Sequence, residues 1–319
     1  MKRKILQLDQ VFYIANNLQL SKIKKDKNGN LETNETCNID QLVDCKEASV
    51  LSIHSLKNLI LVLLSNRYIC VFDISPFGFK FFEKIDKRVS ALTTSNVHKV
   101  ILVGDKHGCV YPIQIKDGKF EPEFEYPICG HILAITEMIF CGEKDRFLAT
   151  AAEDAKIRIH FYPNCFEIYK IFNLNDVCDS MYYSNSLLVS VTRDDIMHSW
   201  NIKDCKLLKK EKLDNFKSNG ENLYRKESNY EIYPNLSSKD AFIVQSRIAP
   251  KEIFLYYIDS CLNFQLLKKT TIENELVGLT IDVNAFICIE NQNSTNYLLT
   301  NLNDDILDLI NKYRVPRPS

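Results

Sequence analysis

Four stretches of this chain repeat one pattern, and that repetition limits the fold more than any other feature. They are LILVLLSNRYICVFDI (59–74), VILVGDKHGCVYPIQI (100–115), FLATAAEDAKIRIHFY (147–162) and LLVSVTRDDIMHSWNI (187–202). Each reads as an apolar strand, a small polar turn and a second strand ending in an aromatic or apolar residue, and their starts fall 41, 47 and 40 residues apart. A period of roughly 40–45 residues is that of one four-stranded blade in a radially repeated β-architecture. Upstream of each repeat lies another apolar segment, predicted as the innermost strand: ASVLSIHSL (48–56), VSALTTSN (89–96), ILAITEMIF (132–140) and VCDSMYYSN (177–185). A blade cannot bury both faces alone, so the array must stack and close. The expectation is an all-β, seven-bladed propeller forming a single domain over residues 1–302.

The remaining segments are assigned around that frame. ILQLDQVFYIA (5–15) and the turn-like KKDKNGN (24–30) supply a first blade or the strand that closes the ring. Apolar runs from AFIVQSRI (241–248) to NYLLTNL (296–302) suffice for about two more blades. The polar, Lys-rich stretch at about 203–230 is predicted as a surface insertion. DDILDLINKY (304–313) spaces Ile306, Leu309, Ile310 and Tyr313 as a short amphipathic helix within a 303–319 tail, ended by Pro316 and Pro318.

Composition narrows the function class. With 45% apolar and 25% charged residues the chain is globular, and a net charge of −1 excludes a grossly basic nucleic-acid binder, so any RNA contact would be local. The 11 cysteines lie singly, without a C-x-x-C pair, as expected of reduced thiols in a nucleus or cytosol and not of disulfides. Gln7, Asp9 and Gln10 break the N-terminal apolar stretch, so no secretory signal is expected, and the longest apolar run (59–64) is far short of the roughly 18 residues of a membrane span.

Catalytic signatures are absent: there is no G-x-S-x-G, H-E-x-x-H or Walker loop, and GDKHG (104–108) lacks the Lys-Ser/Thr that would hold a phosphate and reads as a tight turn. No Gly-rich strand-to-helix loop offers a dinucleotide site, and six histidines spread about one per repeat offer no zinc set. The expectation is no catalytic residue, no cofactor and no metal. What stands out is AAEDAKIRIHFYPNCF (151–166), whose alternation puts Lys156, Arg158 and His160 on one face of a strand and Ile157, Ile159 and Phe161 on the other. The residues allow two readings, a half-buried strand with a solvated face or a docking site.

The third repeat resembles WD-repeat propellers, in which a Gly-His before the inner strand, a turn Asp and a Ser or Thr hydroxyl form a buried, structural hydrogen-bonded set. His131, Asp154 and Thr150 match it. The Trp-Asp ending of such repeats is degenerate here, as Phe72-Asp73 and Trp200-Asn201. Within residues 100–202, VGDKHGCVYPI, CGHILAITEM, FLATAAEDAKIRIHFYPNCF and LLVSVTRDDIMHSW resemble the non-catalytic subunit of the eukaryotic tRNA (guanine-N(7))-methyltransferase. Ala152, Glu153 and Ala155 depart from that family's Asp, Arg and acidic residue. The resemblance implies a protein of the nucleus, or of nucleus and cytoplasm, that does no chemistry. It would clamp and stabilise, as a heterodimer, a separate catalytic subunit that binds S-adenosylmethionine and methylates tRNA. It implies Arg158 as the residue that pairs with a partner carboxylate, a task suited to a planar guanidinium. Lys156 on the same face, and Lys106 and Arg193 from adjacent repeats, complete the expected docking set, and Arg158→Glu is expected to dissociate the pair without unfolding the chain. Direct tRNA binding through the Lys-rich insertion, and a generic interaction scaffold, remain open alternatives.

Overall fold

The computed structural model describes residues 48–123 and 126–213 continuously, most of 5–41, and the strands within 230–301. The described strands fall into seven antiparallel sheets, each made of strands consecutive in sequence. The chain divides into two compact units, Met1–Asp179 and Ser180–Ser319.

In the first unit, four meander sheets follow one another. The sheet Val50–Leu56, Leu59–Leu64, Tyr68–Ile74, Phe77–Lys84 is typical, and Val89–Pro122 and Ile135–Asn173 repeat it. The run LILVLL shows why these strands lack the usual apolar and polar alternation. Ile60, Val62 and Leu64 pack with Leu6, Tyr13 and Leu20 of the preceding sheet. Leu61 and Leu63, pointing the other way, pack with Leu92, Ile101 and Val103 of the following one. The next sheet does the same, with Ile101 and Val103 on one side and Val100 and Leu102 against Ile135, Met138 and Leu148 on the other. Each second strand is therefore buried on both faces, as in Val100–Asp105 and Phe147–Ala152, where every residue is buried. Each such Val, Leu or Ile contributes roughly 1.5–3 kcal/mol. The fourth strand Ile168–Asn173 is mostly exposed.

The second unit contains the sheets Cys178–Lys212, Tyr230–Thr271 and Leu276–Asn301, the first of these beginning two residues before the unit boundary. Leu187, Val189 and Val191 pack there with Ile232, Phe242, Val244 and Phe254.

Two expectations need correction. The Lys-rich insertion does not begin at 203: Lys206–Lys212 is the fourth strand of its sheet, in register with Ile196–Asn201, and Tyr230 opens the next sheet. A fourth strand needs few apolar residues, and lysine stems cover the sheet while their ammonium groups stay wet, so the strand looks like a polar loop in sequence. The inner strand predicted at 132–140 starts only at Ile135. Ile132 and Leu133 lie outside it, 77% and 47% exposed. Residues 214–229, the expected helix at 304–313 and the rest of the 303–319 tail lie outside the described residues.

Candidate interaction site

The candidate site lies where three chain segments meet at one end of the third and fourth sheets. The turn between Val100–Asp105 and Cys109–Lys116 depends on Asp105, a buried carboxylate whose Oδ1 accepts from the backbone N–H of His107 (2.9 Å) and of Cys109 (2.8 Å). Gly108 takes φ +87°, and a Cβ there would stand 2.3 Å from the His131 carbonyl oxygen. Gly130 is equally constrained, since its Cβ would meet the Gly108 carbonyl oxygen at 2.6 Å. The GDKHG and Gly-His motifs are thus one contact, closed by His131 N–H donating to Gly108 O at 2.8 Å. The turn between Phe147–Ala152 and Lys156–Phe161 joins it through Glu153 N–H donating to Ala134 O, 2.9 Å.

His131, Asp154, Thr150 and Arg158 are brought together beneath these segments. His131 Nδ1 lies 3.0 and 3.1 Å from the two Asp154 carboxylate oxygens, and Nε2 lies 2.8 Å from Thr150 Oγ1. Burial lowers the His131 pKa against the opposing pull of Asp154. The ring is therefore neutral at pH 7, with Nδ1–H donating to Asp154 and Nε2 accepting from the Thr150 hydroxyl.

The Arg158 Nη1–H donates to the Gly130 carbonyl oxygen at 2.6 Å, and Nη2 lies 3.6 Å from Asp154 Oδ2. Its side chain is 19% exposed and that of Asp154 3%. Arg158 is thus the internal counter-ion of a buried carboxylate and a brace on the loop that carries His131, which sequence alternation did not indicate. The third member of the supposed cationic face, His160, is 1% exposed, and its Nδ1–H donates to Cys165 O at 3.0 Å. Burial pushes its pKa down to about 4, so it is neutral. That face is therefore not a solvated row of charge. Lys156 is partly buried at the strand start, and Lys106 is exposed in the turn after Asp105. Arg193 belongs to the second unit, in the turn where the Thr192 hydroxyl donates to Asp194.

Sequence reading named Lys106 at this end but missed its apolar surface. Ile132 and Leu133 protrude between the two turns, with Arg88 and Lys106 exposed nearby, joined by a Lys106 N–H to Arg88 O bond of 2.9 Å. Among the described residues no group of three or more His, Cys, Asp and Glu could hold a metal ion, and no helix is long and apolar enough to cross a membrane.

No protein-family model matches the chain. A chain of the mitotic checkpoint complex crystal structure, a WD40 propeller, superposes with TM-score 0.64 at 12% identity, over 88% of this chain and 83% of that one. That likeness establishes an all-β fold of the propeller kind. The tRNA (guanine-N(7)-)-methyltransferase non-catalytic subunit TRM82 of Saccharomyces cerevisiae is 30% identical over 129 residues, 38% of this chain and 28% of the relative. Its namesakes from Kluyveromyces lactis and Meyerozyma guilliermondii are 32% and 31% identical, over 38% and 41% of this chain. The match spans 28–32% of the length of these three relatives. Their names describe subunits without catalytic activity. Over 38–41% of its length, and on a propeller fold, the chain is similar to tRNA (guanine-N(7)-)-methyltransferase non-catalytic subunits.

Proposed function

We propose that this chain binds and stabilises the catalytic subunit of a tRNA (guanine-N(7)-)-methyltransferase, reaching tRNA as part of that heterodimer. The observation that carries the reading is the similarity to non-catalytic subunits of that name. The end of the third and fourth sheets supports it, because a loop braced by hydrogen bonds presents side chains without spending binding energy on ordering them. Lys106 and Lys156 supply positive potential that speeds encounter with an acidic surface. Arg158 is committed to Gly130 and Asp154, with its side chain 19% exposed, so its principal role is to hold the docking loop in shape.

The test is co-expression of this chain with the candidate methyltransferase subunit of its own organism. Co-purification is measured together with 7-methylguanosine formation in tRNA, beside each chain alone. The expected result is a complex whose activity exceeds that of the isolated catalytic chain, with this chain inert by itself. Full activity of the catalytic chain alone, with no association, would refute the proposal.

A further inference from the structure

Both ends of these sheets carry exposed apolar side chains, and those at one end are adjacent in sequence. Ile135 pairs with Ala152, Ala152 with Lys156 and Lys156 with Asn173, which defines the end carrying the turns just described. At the opposite end Cys141 pairs with Phe147 and Phe147 with Phe161, and the connections there include Val97, 54% exposed, and Phe166, 72% exposed. The docking end carries Ile132 and Leu133 as adjacent exposed apolar side chains.

An exposed apolar pair costs solubility unless something covers it, and a flexible loop would fold it inward. This loop cannot. Its backbone is fixed before the pair by His131 N–H to Gly108 O (2.8 Å) and by Arg158 to Gly130 O (2.6 Å), and after it by Glu153 N–H to Ala134 O (2.9 Å). The missing Gly108 Cβ leaves room for the His131 and Leu133 carbonyl oxygens against the neighbouring turn. The segments around the pair carry the exposed cations Lys87, Arg88 and Lys106 and the partly exposed Lys156, against two exposed carboxylates, Asp86 and Glu153, while Asp154 is consumed internally. An apolar centre with a mostly cationic rim matches an apolar pocket bordered by carboxylates.

We infer that Ile132 and Leu133 are the apolar anchor of the interface, inserting into a hydrophobic pocket of the catalytic subunit rimmed by Asp or Glu side chains. This rests on the function proposed above. It assigns affinity to two side chains that make no ion pair and leaves to the cations the rate of encounter.

The experiment measures the dissociation constant between the full-length chain and its catalytic subunit for wild type, Ile132→Ala, Ile132→Asp, Leu133→Ser and the opposite-end variants Val97→Asp and Phe166→Asp. Thermal unfolding of each isolated chain serves as the folding control. Burial of one Ile side chain predicts a loss of about tenfold or more for Ile132→Ala, and Ile132→Asp should lose at least ~100-fold. Leu133→Ser should weaken binding less than Ile132→Asp, Val97→Asp and Phe166→Asp should bind as wild type, and all unfolding midpoints should agree because these side chains are exposed. Wild-type affinity in Ile132→Asp and Leu133→Ser, or an equal loss in the opposite-end variants, would overturn the inference while leaving the proposed function intact. Absence of binding by wild type would overturn both.

Discussion

Arg158→Met tests whether the guanidinium belongs first to the fold. The substitution keeps much of the aliphatic stem and removes two polar interactions, the 2.6 Å bond to Gly130 O and the 3.6 Å approach to Asp154. A hydrogen bond from a charged donor is worth about 1.5–3 kcal/mol. Removing one partner of a fully buried ion pair costs roughly 3–5 kcal/mol, an upper bound here because Arg158 is 19% exposed. Together these set the expected loss at about 2–3 kcal/mol, several times the ~0.5 kcal/mol of an ordinary surface substitution. The assay is urea denaturation of the isolated chain followed by circular dichroism, for wild type, Arg158→Met, Asp154→Asn and the double variant, with slopes compared so that a midpoint shift reads as stability. The two single losses should be non-additive by at least ~1 kcal/mol, because each removes a partner of the same buried group. An Arg158→Met loss within ~0.5 kcal/mol of wild type, or strict additivity, would refute the internal role. The same geometry revises the expectation for Arg158→Glu. A second carboxylate beside Asp154 destabilises the loop, so dissociation by that variant is informative only with a stability measurement at its side.

Three further predictions rest on single contacts. Gly108→Ala, at φ +87° with its Cβ 2.3 Å from a carbonyl oxygen, should cost at least ~2 kcal/mol, whereas Gly118→Ala, at φ +77° with nothing within 4 Å, should cost only ~1 kcal/mol; equal urea midpoints would contradict this. Thr150→Val removes the donor to His131 Nε2 from a fully buried site and should cost about 1–2 kcal/mol, with Thr150→Ser restoring most of it in the same titration. Burial holds both His160 and His198 down to about 4, from 6.5 in the unfolded chain, so between pH 6.5 and 4 the unfolded state takes up protons that the folded state refuses. Stability should therefore fall with pH through that window, and His198→Phe should reduce the slope by about 1.4 kcal/mol per pH unit; unchanged slopes would rule this out.

Local pattern is decisive where one physical requirement dominates. The buried second strands were legible as LILVLL or FLATAA because a strand covered on both faces must be continuously apolar, whatever packs against it. The turns were legible because Gly108 is the residue that tolerates φ +87° at that crowded spot. The fourth strands were not. Lys206–Lys212 is held by its register with Ile196–Asn201, and an edge position accepts almost any composition, so its lysines resembled a loop.

The sequence by itself determined the all-β repeat, the strand and turn rhythm, and the residue types His131, Asp154, Thr150 and Arg158. Tertiary structure alone decided what those residues do. Alternation assigns Arg158 to a face but cannot say that the Gly130 carbonyl, 28 residues away in sequence, stands within reach of its guanidinium. Likewise Ile132 and Leu133 read as the start of an inner strand, because apolar residues beside an apolar run carry no mark of exposure. Hydrogen bonds from separate turns, at Gly108 and Glu153, hold that loop outward. Contacts between residues far apart in sequence are set by how the sheets stack, and no periodicity within a single strand encodes them.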